Sequence, residues 1–107
     1  MKEIHAADLA QWLADPARPR PLLLDVREPW EAQICQIAGS ELIPMRAVPD
    51  ELHRIETDRP IVCICHHGRR SAHVAMYLMR QGYSDVYNLA GGVDGWARQV
   101  DPAMTMY

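Results

Sequence analysis

A short apolar run that ends in a cysteine places the strongest constraint on how this chain folds. Ile61–Cys65 has five consecutive apolar or sulfur-containing side chains, a length typical of a buried strand rather than of a helix. A polar loop containing Gly68 follows, and residues 71–81 then form a helical run closed by Gly82, a typical C-cap residue. The sequence therefore predicts a strand, a tight loop and a helix, with Cys65 at the first junction.

Cys65 is a candidate nucleophile because this arrangement favours the thiolate form of its side chain. Loop N–H groups can form an anion-binding nest around the sulfur, and the N-terminus of the next helix adds partial positive charge. The loop also contributes the basic side chains of His66, His67, Arg69 and Arg70. The alternative at this point is an inert buried cysteine that packs as a small hydrophobic residue.

The cysteines and histidines of this segment also raise the question of a zinc site. Structural zinc ligands usually come as two spaced pairs, whereas the four candidates in Cys63–His67 lie within five positions. No second pair exists, because Cys35 and His53 stand alone. We therefore expect no metal and no cofactor.

Length and composition limit the class of protein. The 107 residues, 49% of them hydrophobic, suit a single domain over 1–107 with a real core. A formal charge of −3 argues against a nucleic-acid partner, and three irregularly spaced cysteines are not a secreted disulfide framework. The N-terminus lacks the apolar region of a signal peptide, and no window approaches the roughly 18 apolar residues of a membrane span. We expect no membrane association and a reducing, cytoplasmic location.

Short strands and helices alternate between proline and glycine breaks. The predicted strands are 2–5, 22–26, 41–43, 61–65 and 85–89, and the predicted helices are 6–15, 29–33, 50–55, 71–81 and 93–98. This alternation indicates an α/β domain with a mainly parallel central sheet. Ligands bind such sheets at the carboxyl ends of the strands, which is where Cys65 falls.

Four segments along the chain carry a family resemblance. They read LDVREPWE at Leu24–Glu31, IAGS at Ile37–Ser40 with IP at 43–44, CHHGRRS at Cys65–Ser71, and NLAGGVDGW at Asn88–Trp96. In this order and spacing they resemble the signatures of the single-domain rhodaneses, the thiosulfate sulfurtransferase-like family. The resemblance covers nearly the whole chain. It implies an α/β, rhodanese-like three-layer domain with a central five-stranded, mainly parallel sheet flanked by helices.

The resemblance also implies an enzyme, a thiosulfate sulfurtransferase of the rhodanese type. Cys65 would be catalytic and would carry sulfane sulfur as a persulfide from thiosulfate or a related donor to cyanide or a thiol. We expect Arg70 to bind the sulfonate end of the donor, the alternative being a solvated loop cation, and Arg69 to face solvent. Gly68 is expected either to adopt a positive φ or to leave room for the donor. The substrate-binding loop would comprise His66, His67, Gly68, Arg69, Arg70 and Ser71.

Residues upstream of the loop are expected close to the site. Asp25 and Arg27 are interpreted mainly as structural, with Arg27 paired internally, and Trp30 is a candidate wall of the active site. Glu31 falls where the resemblance to two-domain thiosulfate enzymes implies a substrate-binding arginine. It is interpreted as a surface carboxylate that would repel an anionic donor. Cys35 departs from the family pattern, and its role stays open.

Three other functions compete with a free-standing transferase. A cysteine phosphatase needs an arginine six residues after its nucleophile, whereas Arg70 comes one residue early. A non-catalytic binding module is disfavoured because the chain keeps Cys65 and its cationic loop. A persulfide carrier that relays sulfur for a partner protein would use the same Cys65, so this alternative stays open beside small-molecule donors and acceptors.

Overall fold

Strands and helices alternate throughout the computed structural model, which describes Met1–Tyr107. The strands are β1 (Lys2–Ile4), β2 (Leu22–Asp25), β3 (Glu41–Leu42), β4 (Ile61–Ile64) and β5 (Val86–Leu89). The helices are α1 (Ala6–Ala14), α2 (Pro29–Ile34), α3 (Arg69–Arg80) and α4 (Gly92–Gln99), and a 3₁₀ segment covers Met45–Arg54. No helix is both long enough and apolar enough to span a membrane.

The strands form one five-stranded sheet in the order β1-β5-β4-β2-β3. Every pairing in it is parallel, so the predicted α/β fold with a mainly parallel sheet is confirmed. The two strands β2 and β4 are buried along their whole length, as central parallel strands are when helices cover both faces. Their near-continuous apolar runs are therefore a consequence of their central position.

Side chains that alternate along the central strands divide the core into two clusters, one on each face of the sheet. Leu24 and Cys63 face the cluster that holds α3 and the 3₁₀ segment. Leu23 and Val62 face the opposite cluster, together with α1 and α4. This is the period-two alternation of a strand, and it produces the three layers that the sequence predicts.

Two predicted helices differ from the observed ones by more than one residue at an end. Helix α3 begins at Arg69, two residues earlier than predicted, because Gly68 in the left-handed conformation already serves as its N-cap. The helix predicted over 50–55 is instead part of the 3₁₀ segment, which contains Pro49 and has non-helical dihedral angles at Glu51. A proline inside a helix removes one backbone hydrogen bond, so this segment does not form a regular α-helix.

The sheet brings the predicted site residues to one edge. Asp25 ends β2 and is in register with Ile64, the last residue of β4. The Val26 N–H continues this pairing by donating a 2.9 Å hydrogen bond to the Ile64 carbonyl. The segments that begin at Val26 and at Cys65 therefore leave the sheet side by side at its carboxyl edge, where ligands bind in this class of fold.

Candidate active site

Cys65 is the first residue after β4, and its side chain is buried. Its sulfur accepts a 3.0 Å hydrogen bond from the Gly68 N–H, and the Ser71 Oγ lies 3.2 Å from it. Gly68 has a φ of +101°, which confirms the predicted positive φ. The nest predicted from the sequence thus consists of one backbone donor and one hydroxyl at the N-terminus of α3, whose partial positive charge also faces the sulfur.

Asn88 supports the Cys65 loop from the neighbouring strand β5. Its Nδ2 donates to the Gly68 carbonyl at 3.0 Å, and its Oδ1 lies 2.5 Å from the Ser71 Oγ. The Ser71 hydroxyl has one proton, which serves either Asn88 or the sulfur of Cys65. No role is assigned to Asn88 from the sequence, although an amide side chain within a mostly apolar strand is a usable signal, because a buried polar group needs partners. In the structure Asn88 is 2% exposed.

The N-terminus of α4 holds the other side of the loop. The Val93 N–H donates to the Cys65 carbonyl at 2.9 Å, and the Asp94 N–H donates to the His66 carbonyl at 3.1 Å. A helix begins with N–H groups that have no partner within it, and the loop supplies acceptors for two of them here. Gly92, with a φ of +58°, makes this approach possible, because a Cβ there would overlap both carbonyl oxygens.

Replacing Gly92 should therefore destabilise the protein and displace the loop. We expect Gly92→Ala to cost more than the roughly 1–2 kcal/mol of left-handed backbone strain alone. Gly82→Ala is the matched control, since Gly82 has a φ of +99° and a Cβ added there would have no neighbour within 4 Å. Urea unfolding of both variants measures the difference. Equal losses of stability would show that the close approach at Gly92 is unimportant.

Arg27 is fully buried and pairs internally, as predicted. It donates to both carboxylate oxygens of Asp25, at 3.0 and 2.7 Å, and to the Cys35 carbonyl at 2.7 Å. A further donor contacts the Tyr107 hydroxyl at 2.9 Å. Burial alone would lower the pKa of Arg27, but its hydrogen bonds to Asp25 and Tyr107 outweigh this and raise the pKa. Arg27 thus stays charged and ties the end of β2 to α2 and to the C-terminal segment.

Glu31 is buried, at 3% exposure, so its interpretation as a surface carboxylate is wrong. Its two carboxylate oxygens accept hydrogen bonds from Arg70 at 2.7 and 2.9 Å. The Tyr107 hydroxyl and the Glu28 N–H donate to the same carboxylate, each at 2.9 Å. The hydrogen bond from Arg70 is the main reason that the pKa of Glu31 falls to about 2, against the opposing effect of burial. The sequence misses this because the partners are far apart along the chain.

The aromatic rings of the loop and of the C-terminal segment stack beside this ion pair. The Tyr107 ring lies parallel to His66 with centroids 4.0 Å apart, and His66 lies parallel to His67 at 4.1 Å. Trp30 packs edge-on against Tyr107 at 6.1 Å and is 60% exposed, while Arg69 is exposed as expected. Burial and the neighbouring His67 lower the pKa of His66, which favours the neutral imidazole.

One cluster brings metal-ligand atoms together without a suitable geometry. Ligand atoms of His66, His67 and Asp94 all lie within 4.8 Å of one another. The lone pairs of an imidazole lie in the ring plane, so two stacked rings direct them in parallel rather than towards one ion. Asp94 is also bound to Arg98 at 3.0 Å. In this arrangement the cluster is not a metal site.

The other two cysteines have different surroundings. Cys63 is fully buried in β4, and burial, with the nearby Cys65, raises the pKa of its thiol to about 12. It therefore stays protonated. Cys35 is half-buried, its Sγ lies 3.7 Å from the Arg27 Nη1, and it lines a small cleft together with His66 and Tyr107. Neither sulfur lies at the N-terminus of α3.

The low pKa of Glu31 predicts a loss of stability in acid. Because folding lowers this pKa from 4.5 to about 2, the ion pair with Arg70 contributes fully above pH 4.5 and its contribution is lost as pH falls towards 2. The free energy of unfolding should therefore fall on acidification by on the order of 3 kcal/mol less in Glu31→Gln than in the parent protein.

Urea unfolding at a series of acidic pH values measures this contribution. Glu41→Gln is the control, because Glu41 forms a partly exposed pair with Arg54, and such pairs contribute little. It should retain the acid sensitivity of the parent protein. The prediction fails if Glu31→Gln loses stability in acid as steeply as the parent does.

Comparison with known proteins identifies relatives across the chain. The family model described as Rhodanese-like domain matches residues 5–99. A sulfurtransferase of Allochromatium vinosum is 40% identical over 92% of this chain and 90% of that protein. The thiosulfate sulfurtransferase GlpE of Pseudomonas aeruginosa is 40% identical over 78% of this chain and 74% of that protein.

Longer relatives and solved structures agree with this. The chloroplastic Rhodanese-like/PpiC domain-containing protein 12 of Arabidopsis thaliana is 32% identical over the whole chain, which spans 38% of that protein. The crystal structure of a rhodanese-like domain protein from Staphylococcus aureus superposes with a TM-score of 0.84 at 31% identity, covering 100% of this chain and 99% of that one. With the parallel sheet and the loop after β4, these matches establish that the chain belongs to the rhodanese-like domain family.

Proposed function

We propose that this protein is a sulfurtransferase that carries sulfane sulfur as a persulfide on Cys65. The observation that carries the proposal is the position of the Cys65 sulfur, 3.0 Å from the Gly68 N–H at the N-terminus of α3. Of the three cysteines, Cys65 is the one with this environment. The relatives named sulfurtransferase and thiosulfate sulfurtransferase support the same chemistry.

The first half-reaction loads the cysteine. The Cys65 thiolate attacks the outer sulfur of a donor such as thiosulfate, a new S–S bond forms, and the donor's S–S bond breaks. The electron pair of that bond leaves on sulfite, so no external oxidant or reductant is needed. The product is a persulfide on Cys65, a covalent intermediate that divides the transfer into two displacements.

The second half-reaction unloads it. Cyanide or a thiol attacks the outer sulfur of the persulfide, forming thiocyanate or an acceptor persulfide and returning the Cys65 thiolate. The Cys65 side chain is itself 1% exposed, but an S–S bond places the transferable sulfur about 2 Å beyond it. An acceptor therefore reaches the outer sulfur more easily than it would reach the cysteine.

The loop stabilises the negative charge that both steps place on sulfur. The Gly68 N–H and the N-terminus of α3 are fixed before the reaction starts, and the Ser71 Oγ already lies 3.2 Å from the sulfur, so little reorganisation is required. The second helix, α4, holds the backbone of Cys65 and His66 from the other side. We place this chemistry in a reducing cytoplasmic compartment, which three unpaired cysteines favour.

Cysteine variants test the assignment. Cys65→Ser should lose both persulfide formation, seen as a gain of one sulfur atom in intact mass, and thiocyanate production from thiosulfate and cyanide. Cys35→Ser and Cys63→Ala are the matched controls and should keep both properties, because neither sulfur contacts the Gly68 N–H. Sulfur transfer that persists without Cys65 would refute the proposal.

A further inference from the structure

We propose that Glu31 determines donor specificity: it occupies the anion-binding side of Arg70 and directs the site towards sulfur donors of low negative charge. This inference rests on the proposed persulfide chemistry of Cys65 and names the class of donor that the site selects. It implies discrimination against the thiosulfate dianion relative to a less charged donor with the same transferable sulfur.

The geometry of the ion pair is the first support. Nη1 and Nη2 of Arg70 each donate to one oxygen of Glu31, at 2.7 and 2.9 Å. This is the two-pronged contact by which the Nη1/Nη2 side of a guanidinium binds one carboxylate or one sulfonate. A sulfonate would therefore find this side of Arg70 occupied, and its positive charge already paired, by an anion that belongs to the protein.

The rigidity of Glu31 is the second support. It is the third residue of α2, and its carboxylate accepts the Glu28 N–H in a capping box. The Tyr107 hydroxyl donates to the same carboxylate at 2.9 Å, and the side chain is almost fully buried. An incoming anion that took Arg70 away would leave a buried carboxylate without its cation, which is unfavourable. The carboxylate would still be held in place by its two other donors. The carboxylate is thus not free to swing away.

The remaining charges around the loop give the third support. Arg27 is fully buried and bound to Asp25, while Arg69 faces solvent. His66 is shielded by stacked rings on both sides, Tyr107 and His67. Both Arg27 and Arg70 are therefore paired with carboxylates, so neither offers an uncompensated positive charge to a donor.

Two donors of similar size that react in the same way but differ in charge can test this inference. Thiosulfate carries two negative charges, whereas methanethiosulfonate carries one, because a methyl group replaces one sulfonate oxygen. In both cases the Cys65 thiolate attacks the outer sulfur and the S–S bond breaks. The electron pair leaves on sulfite or on methanesulfinate, respectively. The ratio of kcat/KM for thiosulfate to that for methanethiosulfonate therefore reports how the site treats the second charge.

The experiment compares this ratio in the wild type, in Glu31→Gln and in the double variant Glu31→Gln/Arg70→Gln. We expect Glu31→Gln to raise the ratio on the order of tenfold, mainly through a lower KM for thiosulfate. The double variant should lose the gain, because the released guanidinium is the group that binds the second charge. Glu28→Gln is the control, since Glu28 lies on the same turn but pairs with Arg46, and its ratio should stay at the wild-type value.

A second measurement uses the wild type, so it does not depend on how well the variants fold. Sulfate at millimolar concentration should not protect Cys65 from iodoacetamide in the wild type, because Arg70 is already paired. Protection of the wild type, or an unchanged donor ratio in folded Glu31→Gln, would overturn the inference. Failure of the proposed function would give a different result from failure of this inference, because Cys65 would then gain no sulfur from either donor.

Discussion

The arrangement of the site depends on two guanidinium–carboxylate pairs, one fully buried and one half-buried, which are joined by one tyrosine. Asp25 holds Arg27, Glu31 holds Arg70, and the Tyr107 hydroxyl contacts Arg27 and Glu31 at 2.9 Å each. Removing one partner of the fully buried pair would leave an uncompensated charge, which costs roughly 3–5 kcal/mol. The five groups therefore form together, and they fix β2, α2, α3 and the C-terminal segment relative to one another.

The loop between β4 and α3 lies between the N-termini of two helices that act differently. Gly68, the N-cap of α3, donates its N–H to the sulfur of Cys65, while α4 uses its first N–H groups on the carbonyls of Cys65 and His66. One helix thus serves the reacting atom and the other fixes the backbone that carries it. This arrangement stabilises negative charge on the sulfur, because the hydrogen-bond donors are oriented before the substrate arrives.

Local patterns in the sequence were enough to predict the sheet and the position of the nucleophile. The apolar run that ends at Cys65 specifies a central strand, and Gly68 specifies a turn that needs a positive φ. The burial of Glu31 could not be predicted in this way, because its partners Arg70 and Tyr107 are 39 and 76 positions away. The need for glycine at position 92 could not be predicted either, because it arises from the packing of α4 against the carbonyls of the Cys65 loop.

The direct test of this arrangement is a ¹³C NMR titration of the Glu31 carboxyl carbon, with and without saturating sulfate, an anion that is stable in acid and does not react with Cys65. The ion pair with Arg70 holds the pKa of Glu31 at about 2, and the pair is expected to survive the presence of the anion. The predicted result is a midpoint near 2 in both titrations. A midpoint near the ordinary value of 4.5, or one that moves there when sulfate is added, would contradict a permanently paired Arg70.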